Sequence, residues 1–427
     1  MAQQPPPTDK VSPRWQNVRQ LPRNIWVLTL ASFFTDVSTD MLVHLIPFFL
    51  ANVLGVRTVT IGLIEGLAET TASLVKLISG QLSDRLGRYK GLTVAGYGLS
   101  TLAKPFFALA GSWTAILTVR FAERIGKGVR TAPRDVLIAD SIDEKQRGLA
   151  FGLHRAGDTA GAALGLIIAL LVLWFLQGNE IDLTRQSFQT IVWLSILPAL
   201  TAVLLLVFGV REKRDKTPKT AAAKRPSYKL SQPFKQYLII LVIFTLGNSS
   251  DAFLMLRAQT TGLTVLQVMG LLVIFNLVYA FLSGPAGSLS DKVGRQLLLL
   301  GGWVLYALIY IGFAFGKTHW QIAVLFALYG IYYGLTQGVA KAFVADLVPK
   351  EQRGTAYGWF NAVIGLAVLP ASLLAGLLWQ GIGSWSGFGV QMPFLVGAVL
   401  SIIAAGLLIL WFPPNKPTMI NHIPQSH

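Results

Sequence analysis

Residues 80–88 read GQLSDRLGR, and residues 287–295 read GSLSDKVGR. The second copy stands 207 positions after the first. Outward from these, ADSIDEKQRGLAFG at 139–152 is matched by ADLVPKEQRGTAYG at 345–358, at an offset of 206. Two matched pairs at nearly one offset mean that the chain is built from two related halves.

Long apolar stretches flank these motifs. A helix needs about 20 such residues to cross a bilayer. Twelve stretches qualify: 26–53, 60–80, 92–111, 113–139, 148–176, 188–210, 237–258, 264–287, 297–316, 320–345, 355–380 and 391–412. They lack the alternation of a membrane barrel, so they read as helices. The fold expected is an all-α membrane protein of twelve transmembrane helices in two six-helix halves around a central cavity. Its parts are a polar tail at 1–25, a first bundle at 26–210, a basic linker at 211–236, a second bundle at 237–412 and a tail at 413–427. The first tail holds Pro5 to Pro7 and lacks the order of residues of a cleavable signal peptide.

Composition agrees. Of 427 residues, 53 % are hydrophobic and 13 % charged, and the mean hydropathy is +0.56. The absence of cysteine excludes a disulfide scaffold, a thiolate metal site and a cysteine nucleophile. The formal net charge is +16. In a soluble protein that would suggest nucleic acid; here the distribution explains it. Of 36 Lys and Arg, 23 fall at the ends and in the loops of one side, three (Arg57, Arg185 and Lys317) on the other, and ten inside the spans. The excess of positive loops places both termini and the linker in the cytoplasm, and the protein in the cytoplasmic (inner) membrane. No nucleic-acid partner is expected.

The motif GQLSDRLGR followed by Tyr89 and Lys90 resembles the signature between the second and third helices of the major facilitator superfamily, and GSLSDKVGR its second-half copy. RFAERIGKG at 120–128 is similar to the family's fourth-helix pattern, with Arg124 where the family often has Gly. The resemblance covers nearly the whole chain. It implies alternating access by secondary transport, powered by an ion gradient without ATP or another cofactor. It also implies that Gly80, Asp84, Arg85, Gly87 and Arg88, with Asp291 and Arg295 in the second half, form gating loops between the halves. Arg120, Arg134 and Asp135 join them as gate residues. The run GDTAGAALG at 157–165 has the glycines of an antiporter marker in the fifth helix but not its proline.

The charges inside the spans are the candidate site. They comprise Lys76, Lys104, Arg120, Arg124, Lys127, Arg130, Arg134, Arg155, Arg257 and Lys341 against Asp36, Asp40, Glu65, Glu69, Glu123, Asp135, Asp158 and Asp251. Each is costly in lipid and must pair or face water. Asp36, Asp40 and His44 recur every four residues on one face of helix 1, and Glu65 and Glu69 do so on helix 2. At the repeat offset, Arg120 corresponds to Phe326, Arg124 to Gly330, Arg130 to Thr336 and Arg155 to Asn361. A neutral copy fills the same place in the fold, so the first-half charges point to solute or ion chemistry. Asp36, Asp40, Glu65, Glu69 and Asp251 are the candidates for ion coupling. Arg124, Arg130, Arg155 and Asp158 are the candidates for solute binding, with Arg124 and Arg130 otherwise read as salt-bridge partners of Glu65, Glu69 or Asp135. Lys104 is expected to snorkel toward the interface. Tyr332 and Tyr333 are read as lining the cavity or as interfacial residues. His422 and His427 are too sparse for a metal site, and no catalytic set is present.

The expected function is therefore proton-coupled secondary transport of a small organic solute, anionic or zwitterionic, by a monomer in the lipid bilayer. The alternatives are drug/proton antiport and a non-transporting membrane receptor on the same fold.

Overall fold

The computed structural model describes residues 21–86, 88–142, 147–178, 180–212, 230–349 and 352–413, without the side chains of Gln81, Asp84, Arg85, Arg147, Gly148, Leu149, Ser288, Asp291 and Gly354. The expectations for Asp84, Arg85, Gly87, Asp291, most of the linker, both tails, His422 and His427 lie outside the described residues.

Among the described residues, twelve helical spans succeed one another. They are α1 (Arg23–Val43, continued by Ile46–Phe48 and a π-helical turn Phe49–Val53), α2 (Thr58–Leu86), α3 (Tyr89–Leu109), α4 (Trp113–Asp140), α5 (Arg147–Leu176) and α6 (Arg185–Gly209). The second half holds α7 (Gln232–Gly247, then Ala252–Gln259), α8 (Val265–Val293), α9 (Arg295–Phe315), α10 (His319–Leu347), α11 (Arg353–Gln380) and α12 (Met392–Trp411). Among the described residues, nine spans are long and apolar enough to cross a membrane. The other three, α2, α3 and α4, are of similar length at 29, 21 and 28 residues. Among the described residues they carry every buried Glu, Lys and Arg except Arg257: Glu65, Lys104, Arg120, Glu123, Arg124 and Arg130.

The helices overrun several expected boundaries. The sequence places spans at 60–80 and 92–111, yet α2 continues to Leu86 and α3 starts at Tyr89. The matching turn in the second half is one residue, Gly294, whose φ of +96° separates α8 from α9. Only glycine adopts that conformation freely, so the turn can be this short. α7 begins five residues before the expected 237 because Ser231 caps it, its hydroxyl accepting from Phe234 N at 3.4 Å.

The repeat reappears in the packing. In the first half α1 packs on α5 and α6, α3 on α4 and α6, and α2 on α4. In the second half α7 packs on α11 and α12, α9 on α10 and α12, and α8 on α10. Each pair is its first-half counterpart moved on by six helices. The first helix of each half is also interrupted at equivalent places, around His44 and Leu45 in α1 and at 248–251 in α7.

The halves meet chiefly where α2 crosses α11 and α5 meets α8. The α2–α11 seam is tightest at the end opposite the basic loops. A Cβ at Gly62 would lie 2.2 Å from the Ser372 carbonyl oxygen, so the backbones touch there. Thr70 donates to Gly365 O at 2.6 Å, Thr58 N to Gln380 Oε1 at 2.7 Å and Arg57 to Gly383 O at 3.1 Å. Nearer the basic loops, Lys76, Arg155 and Lys341 are exposed. The bundle is thus sealed at the end away from the basic loops.

If this seal is one of two alternating states, a wedge should open it. Gly62→Leu in a Ser372→Cys background should speed labelling of the lone cysteine by a water-soluble maleimide about tenfold, the equivalent of roughly 1.4 kcal/mol. An unchanged rate would mean that the seam does not govern access.

Candidate functional site

A cavity of about 370 Å³ lies between the halves. Its first-half wall is made by His44 at the break of α1, Glu65 and Glu69 of α2, and Arg120 and Arg124 of α4. Its second-half wall is made by residues 248–252 at the break of α7, Trp303 of α9, Tyr332, Tyr333 and Gln337 of α10, and Phe360 of α11. Both helix interruptions therefore open onto the cavity. Irregular backbone at membrane depth is tolerated where it lines such a space.

The first-half wall is an ion-pair lattice. Arg120 Nη2 donates to Glu65 Oε2 at 2.9 Å and Nη1 to Glu123 Oε2 at 3.1 Å. Arg124 Nη2 is 2.9 Å from Glu69 Oε1, and its Nε is 3.5 Å from Glu123 Oε2. Two arginines thus share three carboxylates, and Glu123 bridges them. The i, i+3 spacing of Arg120 and Glu123 puts both on the face of α4 that meets α2. The accessible charge is unevenly placed: the Glu69 side chain is 43 % exposed and that of Arg124 3 %.

The opposite wall is aromatic. Phe244 stacks on Trp303 at 4.8 Å, Tyr306 on Tyr310 at 4.0 Å and Tyr329 on Tyr332 at 5.6 Å. Tyr306 donates to the Gly247 carbonyl at 2.9 Å, which meets a backbone acceptor at the α7 break. Tyr329 donates to Asp251 Oδ1 at 2.9 Å. Asp251 is the one carboxylate that the second half contributes to the cavity lining.

The other expected residues are distributed as follows. Asp36 lies beside Arg130 and Lys127 of α4 and Asp158 of α5, away from the cavity lining. Asp40 Oδ1 is 3.6 Å from His44 Nε2. Arg130 is buried, its guanidinium 4.4 Å over the Tyr97 ring and its Nη1 donating to Ser100 Oγ at 3.3 Å, so it does not reach the cavity. Arg155 is exposed near the basic loops, and Asp158 faces His154 at 3.7 Å. The four residues expected to hold solute are therefore not together, and only Arg124 lines the cavity.

Of the expected gate residues, Arg120 sits in the cavity wall. Arg134 ties α4 to α1 through Ser32 Oγ at 3.0 Å and also pairs with Asp135 at 3.0 Å. Arg88 is exposed before α3, and Gly80 packs against Ala132 of α4. Arg295 donates to Ala342 O at 2.8 Å and pairs closely with Asp346.

Lys104 corrects an expectation. It does not snorkel: it is 2 % exposed and donates to Ser38 Oγ at 2.6 Å, because α3 packs it inward against α1. Arg257 is likewise buried, and caps the end of α9 through Phe313 O at 2.7 Å and Gly316 O at 2.6 Å. Three groups went unread in the sequence: His154, four residues before Asp158; Tyr97 under Arg130; and Tyr329 on Asp251. Only the first carried a local signal, its i, i+4 spacing.

Comparison with known proteins supplies context. A sequence family described as the Major Facilitator Superfamily matches residues 28–257 and 238–427. An uncharacterized MFS-type transporter of Methanocaldococcus jannaschii is 37 % identical over 402 residues, which is 93 % of this chain and 96 % of that one. A protein of Lactococcus lactis described as a multidrug resistance efflux pump PmrA homolog is 27 % identical over 376 residues, 83 % of this chain and 89 % of its own length. The crystal structure of a nucleoside transporter superposes with a TM-score of 0.75 at 13 % identity, covering 91 % of this chain and all of that one.

The lattice makes a stability prediction. Arg120→Met strands Glu65 and Glu123 in the wall, and breaking a buried pair from one side costs about 3–5 kcal/mol. Thermal unfolding in detergent should show a large loss. Adding Glu65→Gln and Glu123→Gln should recover most of it.

Proposed function

Because the chain belongs to the Major Facilitator Superfamily, we propose that it is a proton-coupled secondary transporter of organic solutes that combine a flat apolar body with a cationic group, whether zwitterionic or wholly cationic. The observation that carries this is the sign of the charge the cavity offers. Arg120 and Arg124 are consumed by carboxylates, and Glu69 is the member of the lattice that meets water. Asp251 adds a carboxylate on the opposite wall, beside Tyr332, Tyr333 and Trp303. Aromatic faces attract cations and stack on flat rings. An anion entering here meets Glu69 before either arginine, so the purely anionic solute is the weaker of the expectations and the zwitterion remains compatible.

The basic loops face the cytoplasm in this reading, by the positive-inside rule, so the sealed end faces outward and the cavity is loaded or emptied from inside. Asp36 is the leading coupling residue. Among the described residues it makes no close ion pair, while Arg130, Lys127, Asp40 and Asp158 surround it electrostatically. A proton on Asp36 removes one negative charge from that group and changes the balance holding α1 against α4 and α5, which is the kind of bistable element alternating access uses.

Efflux is a second reading, favoured by the likeness to the Lactococcus lactis relative described as a multidrug resistance efflux pump homolog. It shares the same solute chemistry and differs in direction.

Liposomes holding the purified protein, with a pH gradient imposed, test the proposal with three probes: ethidium as an aromatic cation, tetracycline as a zwitterion and benzoate as an aromatic anion. Ethidium or tetracycline should move with the gradient, and benzoate should not. Glu69→Gln should lower kcat/KM about tenfold. Asp36→Asn should abolish accumulation against a gradient while downhill exchange persists. Movement of benzoate alone would overturn the solute assignment.

A further inference from the structure

One buried group in the first half has no part in the cavity. His154 of α5 is 4 % exposed. Both of its ring nitrogens, and Oδ1 of Asp158 one turn later, are buried without a hydrogen-bond partner. The imidazole Nε2 and that oxygen face each other at 3.7 Å, too far for a hydrogen bond. In a neutral imidazole one ring nitrogen always carries a hydrogen, so the arrangement buries an unsatisfied donor beside an unsatisfied acceptor, which is unfavourable. A proton added to the pair makes an imidazolium–carboxylate contact, charge-assisted and shorter, from the same two groups.

The pair also has an outlet. α5 lies directly on α1 here: a Cβ at Gly161 would stand 2.4 Å from the Phe33 carbonyl oxygen. Gly157, Gly161 and Gly165 register with Thr29, Phe33 and Val37, so Asp158 stands at the level of Leu30, about 9 Å along the helices below Asp36, and the two carboxylates act on each other electrostatically. Among the described residues, the other charged neighbours are as follows. His154 is faced by Arg134 and Asp135 of α4 and by Arg155 and Asp158 of its own helix. Asp36 is faced by Arg130 and Lys127 of α4 and by Asp40 of its own helix. α6 and α8 also flank α5; their charged residues are Arg185 at the start of α6 and Asp291 and Lys292 near the end of α8, and 186–209 and 265–290 hold no Asp, Glu, His, Lys or Arg. None of His154, Asp158 and Asp36 lines the cavity.

We propose that His154 and Asp158 form a proton-holding station, linked to Asp36 and separate from the solute cavity, through which the proton of the transport cycle exchanges at the end bearing the basic loops. The station stands on its own geometry; its place in a cycle rests on the proton-coupled reading above. Proton and solute then occupy different sites in the first half, and the proton moves from the imidazolium to Asp158 and on to Asp36, or the reverse, with no other reactant.

The proton itself is the probe. The full chain, labelled with 15N-histidine, is titrated by NMR over about pH 5 to 8, where imidazoles change charge. The resonance lost in His154→Gln assigns the residue. In Asp158→Asn its midpoint should shift by about one pH unit or more, and in Asp36→Asn by a smaller, measurable amount. Asp158→Glu, which keeps the carboxylate, should titrate like the parent. A resonance that does not titrate, or one whose midpoint is the same in parent, Asp158→Asn and Asp36→Asn, overturns the proposal. A second arm measures ethidium transport against pH in liposomes. His154→Gln should flatten that profile and Asp158→Glu should retain it; an unchanged profile in His154→Gln overturns the role in the cycle. Where tetracycline and not ethidium is carried, tetracycline is the probe of this arm; if the parent carries neither, the solute assignment fails while the titration still decides the station.

Discussion

A charge placed in an apolar bundle must find its opposite, and the first half is organised around that constraint. Arg120 and Arg124 project from α4 into the region where α2 and α4 pack. Glu65 and Glu69 come from α2, and Glu123 from α4 itself. With both arginines ionised, two positive charges meet three negative ones, and the imbalance stays where water reaches Glu69. The same demand orders the rest of the half. Lys104 finds hydroxyls of α1, Arg130 finds Tyr97 and Ser100 of α3, and Arg134 finds Ser32 of α1. Polar contacts thus tie α1, α2, α3 and α4 together in a setting where apolar contact alone does not distinguish helix from lipid.

The second half solves the same architecture with little charge at the cavity, where Asp251 is its one carboxylate among the described residues. Its helices pair as those of the first half do, yet the lattice is replaced by stacked aromatic rings. The cavity inherits this asymmetry: one wall holds fixed charge, and the other offers polarizable faces with a single carboxylate. The breaks in α1 and α7 put backbone polar groups at the same level on both sides, where a solute also finds donors and acceptors.

The fold was legible because a repeat and twelve apolar stretches are properties of short windows. The positions of the charges along the helices were legible too, since helical spacing puts Arg120 beside Glu123 and Asp40 beside His44. Their partners across helices were not. Arg124 could be read either as a solute contact or as a partner of Glu65 or Glu69, because nothing in its own helix decides between them. Lys104 looked able to reach the interface because its rotation about α3 depends on packing with α1. His154 was overlooked as a single polar residue, and its meaning appears only when burial removes every other partner.

The uneven exposure of Glu69 and Arg124 has an evolutionary consequence. The guanidinium lies directly behind the carboxylate that covers it. Loss of that one acid would leave Arg120 and Arg124 balanced by Glu65 and Glu123, and would uncover the Arg124 guanidinium toward the cavity. If cargo is sorted by this wall, as proposed, one amino-acid change there would relax the preference for cations, and near relatives could share the fold while differing in the charge of what they carry.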